Sequence, residues 1–254
     1  MKNLYTPDSP AVITPADFYG EKRHFCDTCL VIMSHEIYDY LLAHYDCSCV
    51  AVMFGCNRNT PIYKFSHEGM TLAFYLSAIG SAIAGHQVIE ANWLTGAANF
   101  IMFGSAGSLD AAATAGRYVI PSAAFRGEGM SYYYAEPADY ITVTESDRTA
   151  DIFRELGVPY VQAPVWTTDS FYRETEELVN KLRGEGCVAV DMETAGVQAI
   201  CSYHGFRLYV FLEPGDILDG DEYNAEGLPS ANHDIRKLMI ALHLANRITG
   251  IRVD

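Results

Sequence analysis

Two groups of acids stand at the ends of apolar runs, where carboxylates are costly unless they meet water, a donor or a substrate. Asp191-Met192-Glu193 follows CVAV at Cys187 to Val190, and Glu213 and Asp216 follow RLYVFL at Arg207 to Leu212. Glu193 falls at the start of a helix-like stretch, so it is either a cap favoured by the helix N-terminus or an acceptor for sugar hydroxyls. Asp216 sits in a Pro-Gly turn. It belongs either to a solvated acidic loop with Asp219, Asp221 and Glu222 or to a cleft where a raised pKa lets it protonate a leaving group.

Further chemistry is available after NFIMF at Asn99 to Phe103. Gly104-Ser105-Ala106-Gly107-Ser108 lets backbone N–H groups converge beside the Ser105 hydroxyl, which suits an anion such as phosphate and equally suits a tight turn. The spacing is neither a dinucleotide fingerprint, a P-loop nor a nucleophile elbow, because Phe103 takes the first glycine's place. Trp166 to Tyr172 sets aromatics in a loop where they either stack on a planar ring or fill a satellite core. The run Ser131-Tyr132-Tyr133-Tyr134, after Arg126 and Glu128, reads as a subunit contact or a pocket wall. His204, His233 and His243 have no motif around them and default to surface or packing roles.

The elements that must position these groups alternate. The β-rich runs named above, with CLVIM at Cys29, CVAVMF at Cys49 and YVIP at Tyr118, are separated by stretches of helical spacing, which predicts an α/β fold with a largely buried sheet. Ligands in such folds gather at the carboxyl ends of strands, where the acids and small residues lie. The closing helix buries Ile235, Leu238, Met239, Leu242, Ala245 and Ile248 and leaves Arg236, Lys237 and Asn246 outward.

The chain has 254 residues, half of them hydrophobic, with no linker or repeat, so one domain over 1–254 is expected. A formal charge of -15 excludes a nucleic-acid backbone as partner. The weakly polar stretch Leu72 to Gly85 is too short to span a bilayer, and MKNLYTPDSP lacks a signal-peptide core. Seven cysteines fit a reducing cytoplasm, and Cys26/Cys29 and Cys47/Cys49 read as ordinary thiols in preference to zinc half-sites, so no metal is expected.

Five pieces, GSAGSLD, RGEGMSYYY, WTTDSFYRET, AVDMETAG and the strand ending in PGD, stand in one order across most of the chain. Together they resemble the nucleoside phosphorylase family, which includes purine nucleoside phosphorylase, uridine phosphorylase and methylthioadenosine nucleosidase. The resemblance implies an α/β domain with a mixed, partly barrel-like sheet between helices, assembled as hexamers or dimers. It implies Met192 and Glu193 on the ribose, Asp216 protonating N7 of a purine, Phe171 and Tyr172 beside the base, and Gly104 and Ser105 on phosphate. Arg58 matches an arginine lent to the neighbouring subunit's phosphate. The implied activity is pentosyl transfer: phosphorolysis of a purine nucleoside or uridine to base and (deoxy)ribose 1-phosphate, with phosphate as co-substrate and no cofactor. Two family arginines are replaced, by Gly20 and by Met102, which removes charge-assisted bonds to phosphate. Water as nucleophile, as in the nucleosidase branch, is therefore the alternative, and a nucleoside-binding protein without turnover is another. Arg126, Glu128 and Glu213 receive no role.

Overall fold

A computed structural model describes residues 4–219 and 222–249. Asp221 of the acidic loop, and Met1 to Asn3 of the N-terminal segment, lie outside the described residues. In chain order the strands are β1 (Thr28–Ile32), β2 (Ser48–Met53), β3 (Thr60–His67), β4 (Met70–Leu76), β5 (Asn99–Ser108), β6 (Tyr118–Gly127), β7 (Tyr140–Thr142), β8 (Tyr160–Thr168), β9 (Ala189–Asp191) and β10 (Arg207–Ile217). The helices are α1 (Pro15–Tyr19), α2 (His35–His44), α3 (Ser81–Thr95), α4 (Ala111–Thr114), α5 (Ser146–Leu156), α6 (Glu176–Gly184), α7 (Thr194–His204), α8 (Leu228–His233) and α9 (Arg236–Thr249). Short 3-10 turns cover Met130–Tyr133 and Phe171–Arg173.

All ten strands join one mixed sheet. Strands β10, β6, β8, β9 and β5 pair in that order, and β5 pairs back to β10, so five strands close a barrel. From β5 the sheet continues through β1, β4, β3 and β2. The expected mixed, partly barrel-like sheet flanked by helices is what the chain forms.

Strand periodicity on β5 and β10 separates two layers of the core, and a third, smaller cluster gathers Leu109, Trp166, Leu182 and Val190. On β5, Phe100 and Met102 face the layer of α3 and α7, with Val88 and Ile200, while Ile101 and Phe103 face the layer holding Leu41, Phe153 and Leu242. On β10, Leu208, Val210 and Leu212 face the first layer, and Tyr209 and Phe211 the second. Both strands are therefore apolar on both faces, which is why their sequences read as continuous runs.

The structure moves three boundaries. Strand β5 runs on through the small residues to Ser108, so Gly104 to Ser108 form strand and not a loop. Strand β10 likewise runs to Ile217, with a register shift between Pro214 and Asp216, so Glu213 and Asp216 stand on a bulged strand end and not in a solvated turn. Trp166 to Thr168 close β8 and are buried. In each case pairing with a neighbouring strand satisfies backbone groups that turn-forming residues leave undecided.

Lys237 is a larger correction. Helical periodicity turns it outward on α9, yet it is fully buried, with Nζ donating to Glu213 Oε2 at 3.0 Å and to the Ala231 carbonyl. Glu213 at the end of β10 and the Ala231 carbonyl of α8 meet its ammonium, so the face that periodicity assigns to water is covered at this position. Glu213 thereby gains the role that the sequence withheld.

Candidate active site

The carboxyl ends of β1, β5, β9 and β10 open into one cavity of about 780 Å³, the size of a small-molecule site. Gly104, Ser105, Phe171, Tyr172, Met192, Glu193 and Asp216 all line it. Residues separated by more than 100 positions are thus brought together around one space. Arg58 is not among them: it is exposed in the segment between β2 and β3.

Glu193 does not cap α7. That task falls to Asp191, whose Oδ2 accepts from the Thr194 amide at 2.9 Å and whose Oδ1 accepts from Thr167 Oγ1 at 2.7 Å. Thr167 Oγ1 in turn accepts from the Ala195 amide at 3.0 Å. Burial raises the Asp191 pKa, and these donors work against the rise. Glu193, released from capping, turns to the cavity and accepts from the Gly80 amide at 2.6 Å. Burial first, and the Asp191 charge second, push its pKa up to about 8.

The Gly80 amide is available because Gly80 is the N-cap of α3, at φ 98°, a conformation that favours glycine. The next residue, Ser81, donates from Oγ to the Met192 carbonyl at 2.9 Å, so the start of α3 holds the Met192-Glu193 backbone. This contact needs close helix approach. A Cβ on Gly196 of α7 would lie 2.6 Å from Ser81 Cβ. Gly196→Ala is therefore expected to cost about 1–3 kcal/mol through overpacking and to displace Glu193. Denaturant unfolding and nucleoside affinity, measured together, check this; unchanged values in both would show that α3 and α7 part without cost.

At the opposite side of the cavity Asp216 pairs in register with Gly107, whose absent Cβ would stand 3.5 Å from Asp216 Oδ1 and 2.6 Å from Leu218. Glycine on β5 thus makes room for the acid on β10. Burial raises the Asp216 pKa, while Tyr223, donating to its Oδ2 at 3.0 Å, pulls it back. Glu174 lines the same region, held half-buried after the Phe171–Arg173 turn. Burial and the neighbouring Asp216 charge push it up to about 7. Sequence reasoning missed Glu174, although it lies inside WTTDSFYRET; the signal was an acid three residues beyond an exposed aromatic. Phe171 and Tyr172 are exposed at 53% and 87%, with ring centroids 4.1 Å apart, and form a wall that is open to a planar ring.

The Ser105 end is polar but not strongly cationic. Ser105 Oγ donates to Asn232 Oδ1 at 2.5 Å, and Lys237, the one cation among the described lining residues, is engaged by Glu213. Met102, where the family pattern has an arginine, is sealed in the core. Gly20 closes α1; nearby Lys22 lies over Trp93 and Arg23 donates to the Val50 carbonyl, both away from the cavity. Five acids, Glu174, Glu176, Asp191, Glu193 and Asp216, line the same space.

Arg126 and Glu128 are also placed. Arg126 Nε donates to Ser131 Oγ at 2.7 Å and its guanidinium lies 4.1 Å from the Tyr132 ring, while Glu128 accepts from the Ser131 amide. They tie down the segment after β6 and do not line the cavity. Tyr132 is buried and Tyr133 exposed, and neither forms a cavity wall. His233 meets Ser34 Oγ at 2.8 Å, whereas His204 and His243 are exposed. Among the described residues no three His, Cys, Asp or Glu side chains are grouped to hold a metal ion, and no helix is long and apolar enough to cross a membrane.

The profile of the phosphorylase superfamily matches residues 29–241, a span that includes every cavity element just described. The chain belongs to the phosphorylase superfamily. Within this superfamily it is 27% identical over 206 residues to guanosine phosphorylase of Halorubrum lacusprofundi, covering 77% of this chain and 83% of that protein. It is 25% identical over 200 residues to a DeoD-type purine nucleoside phosphorylase of Exiguobacterium sp., covering 76% and 84%. Among solved structures, the native futalosine hydrolase of Helicobacter pylori strain 26695 superposes with a TM-score of 0.70 at 15% identity, covering 89% of this chain and 98% of that chain. That likeness is one of fold. The superfamily is one of enzymes that act on nucleosides.

Proposed function

We propose that this protein is a nucleoside hydrolase that cleaves the N-glycosidic bond with water as nucleophile. The observation that carries this reading is the charge around the cavity: five acids, and one lysine already held by Glu213. A multiply charged phosphate calls for several charge-assisted donors. Here Ser105 is turned to Asn232, and Arg58, Lys22 and Arg23 stand outside.

In the reaction, water oxygen bonds to C1′ as the bond from C1′ to the base nitrogen breaks. The bond's electron pair passes into the base, which takes the proton held on Asp216, at N7 in a purine; the water's proton passes to a pocket carboxylate. Positive charge builds on the ribose meanwhile. Glu193, accepting from the ribose hydroxyls, orients the sugar and stabilises that charge once ionised, with Met192 packed beneath the ring. Phe171 and Tyr172 stack on the base. The chemistry calls on no metal or organic cofactor.

A second reading, phosphorolysis, is favoured by the curated relatives, which carry phosphorylase names. It requires Arg58 to reach a second copy's cavity within a homo-oligomer, a hexamer or dimer, and Gly104 and Ser105 to take phosphate. Inosine, guanosine, adenosine, uridine and methylthioadenosine, each incubated with and without phosphate, separate the readings by chromatography of base and sugar. Base release independent of phosphate is the expected result. Release only with phosphate, with sugar 1-phosphate formed and lost in Arg58→Ala, would establish phosphorolysis instead; binding without release would sink both.

A further inference from the structure

Ser34 lines the cavity at the carboxyl end of β1, level with Ser105 on the adjacent β5: Ile32 pairs with Phe103, and Met33 Sδ lies 3.6 Å from where a Cβ on Gly104 would stand. Two consecutive residues of α8 hold the two hydroxyls. Asn232 Oδ1 accepts from Ser105 Oγ at 2.5 Å, and His233 Nδ1 stands 2.8 Å from Ser34 Oγ. A serine hydroxyl has one hydrogen and two lone pairs. The Ile37 amide, donating at 3.3 Å as Ser34 caps α2, takes one lone pair of Ser34, and His233 takes a second position. One position remains for the cavity. It is a lone pair if Nδ1 is bare and the O–H if Nδ1 carries a hydrogen, so the tautomer of His233 decides whether Ser34 accepts or donates there. Glu36 Oε1, 4.0 Å from Nε2, favours the hydrogen on Nε2 and leaves Nδ1 bare. The His35 ring packs edge-on against His233, with 5.1 Å between centroids, and restrains its plane.

We propose that His233 is a positioning residue that makes Ser34 an acceptor for the attacking water. The inference rests on the hydrolytic reading above. Water donates one hydrogen to Ser34 Oγ and the other to the pocket carboxylate, which leaves a lone pair on its oxygen for C1′. As that oxygen bonds to C1′, the carboxylate takes its hydrogen, and the hydrogen on Ser34 stays with the new hydroxyl of the sugar. The electron pair of the broken bond leaves with the base. Methanol, with a single O–H, cannot fill both acceptors and is held less well.

The five nucleosides named above, incubated with and without added methanol, test this through the split of sugar between the free form and its methyl glycoside. His233→Ala, which frees the Ser34 hydrogen to turn into the cavity, is expected to lower kcat about 10-fold with KM changed less than about 2-fold. It is also expected to raise the methyl glycoside share about 5-fold, the worth of one hydrogen bond. His233→Asn, whose Oδ1 stands in for Nδ1, is expected to restore both. Ser34→Ala should reproduce His233→Ala, and the double variant should add nothing to it, because His233 acts through Ser34. A merely structural role would lower kcat or raise KM in both His233 variants without moving the product split. That result, or an unchanged His233→Ala, would overturn the role of His233 while wild-type hydrolysis stands. Wild-type release of base only with phosphate, or no release at all, would overturn it together with the hydrolytic reading.

Discussion

Glu193→Gln is expected to slow base release about 10²–10⁴-fold, the range typical for loss of an acid–base or charge-stabilising group, and yet to leave the protein more stable at neutral pH. Glutamine keeps an oxygen for the Gly80 amide but has no charge to offer a ribose that turns positive. The stability gain follows from linkage. Glu193 is raised from 4.5 to about 8, so between those values the folded protein holds a proton that the unfolded chain has released. Wild-type stability from this group is therefore fully present below pH 4.5 and is lost as pH rises toward 8. The variant has no such titration. Its advantage should be absent near pH 4.5 and grow to the order of a few kcal/mol near pH 8. Thermal unfolding at three pH values, run beside single-turnover rates, checks both halves. Loss of activity accompanied by a pH-independent loss of stability would mean that Glu193 is architecture. Such opposed effects on activity and stability are expected where a site keeps a strained charge for function.

Lys237→Met is expected to cost about 3–5 kcal/mol, the usual penalty for leaving a buried charge without its partner. For a chain of this size that corresponds to a fall in Tm of about 6–20 °C. Lys237 is fully buried and Glu213 largely so, with 3.0 Å between Nζ and Oε2. The exposed Arg236, 3.8 Å from Glu213, is a poor substitute because its head lies in water. Replacing both partners, as Lys237→Met with Glu213→Leu, is expected to recover most of the loss, because no charge is then stranded. Scanning fluorimetry of the two single variants and the double variant closes the cycle. A Lys237→Met protein that melts within about 1 °C of wild type would return this residue to the surface role its helical position first suggested.

Much of the site was legible because the chemistry lies at the ends of regular elements. The strands were visible as apolar runs, and Glu193, Asp216, Ser105 and the aromatic pair stood out as candidates just beyond them, where α/β folds expose their ligands, with their roles implied only by the family resemblance. The boundaries were less legible. Small residues at 104 to 108 and Pro214-Gly215 are turn-formers locally, and pairing between β5 and β10, with β9 on the other side of Gly107 and Ser108, keeps both as strand. Glu174 was invisible for another reason: nothing in its own neighbourhood distinguishes it from the exposed acids Glu176 and Glu177, and Asp216, which changes its proton affinity, is 42 residues away.

The sequence by itself determined which faces are apolar, where the strands lie and which acids stand at their ends, since hydrophobic period and local turn chemistry are properties of consecutive residues. Only the tertiary structure decided which charges meet. It buried Lys237 against Glu213, gave the cap of α7 to Asp191 so that Glu193 faces the cavity, joined Glu174 to Asp216, and left Arg58 outside. Periodicity states the direction in which a side chain leaves its own helix or strand. It carries no information on what another element places there, and for an ionisable group that neighbour sets both its cost and its chemistry.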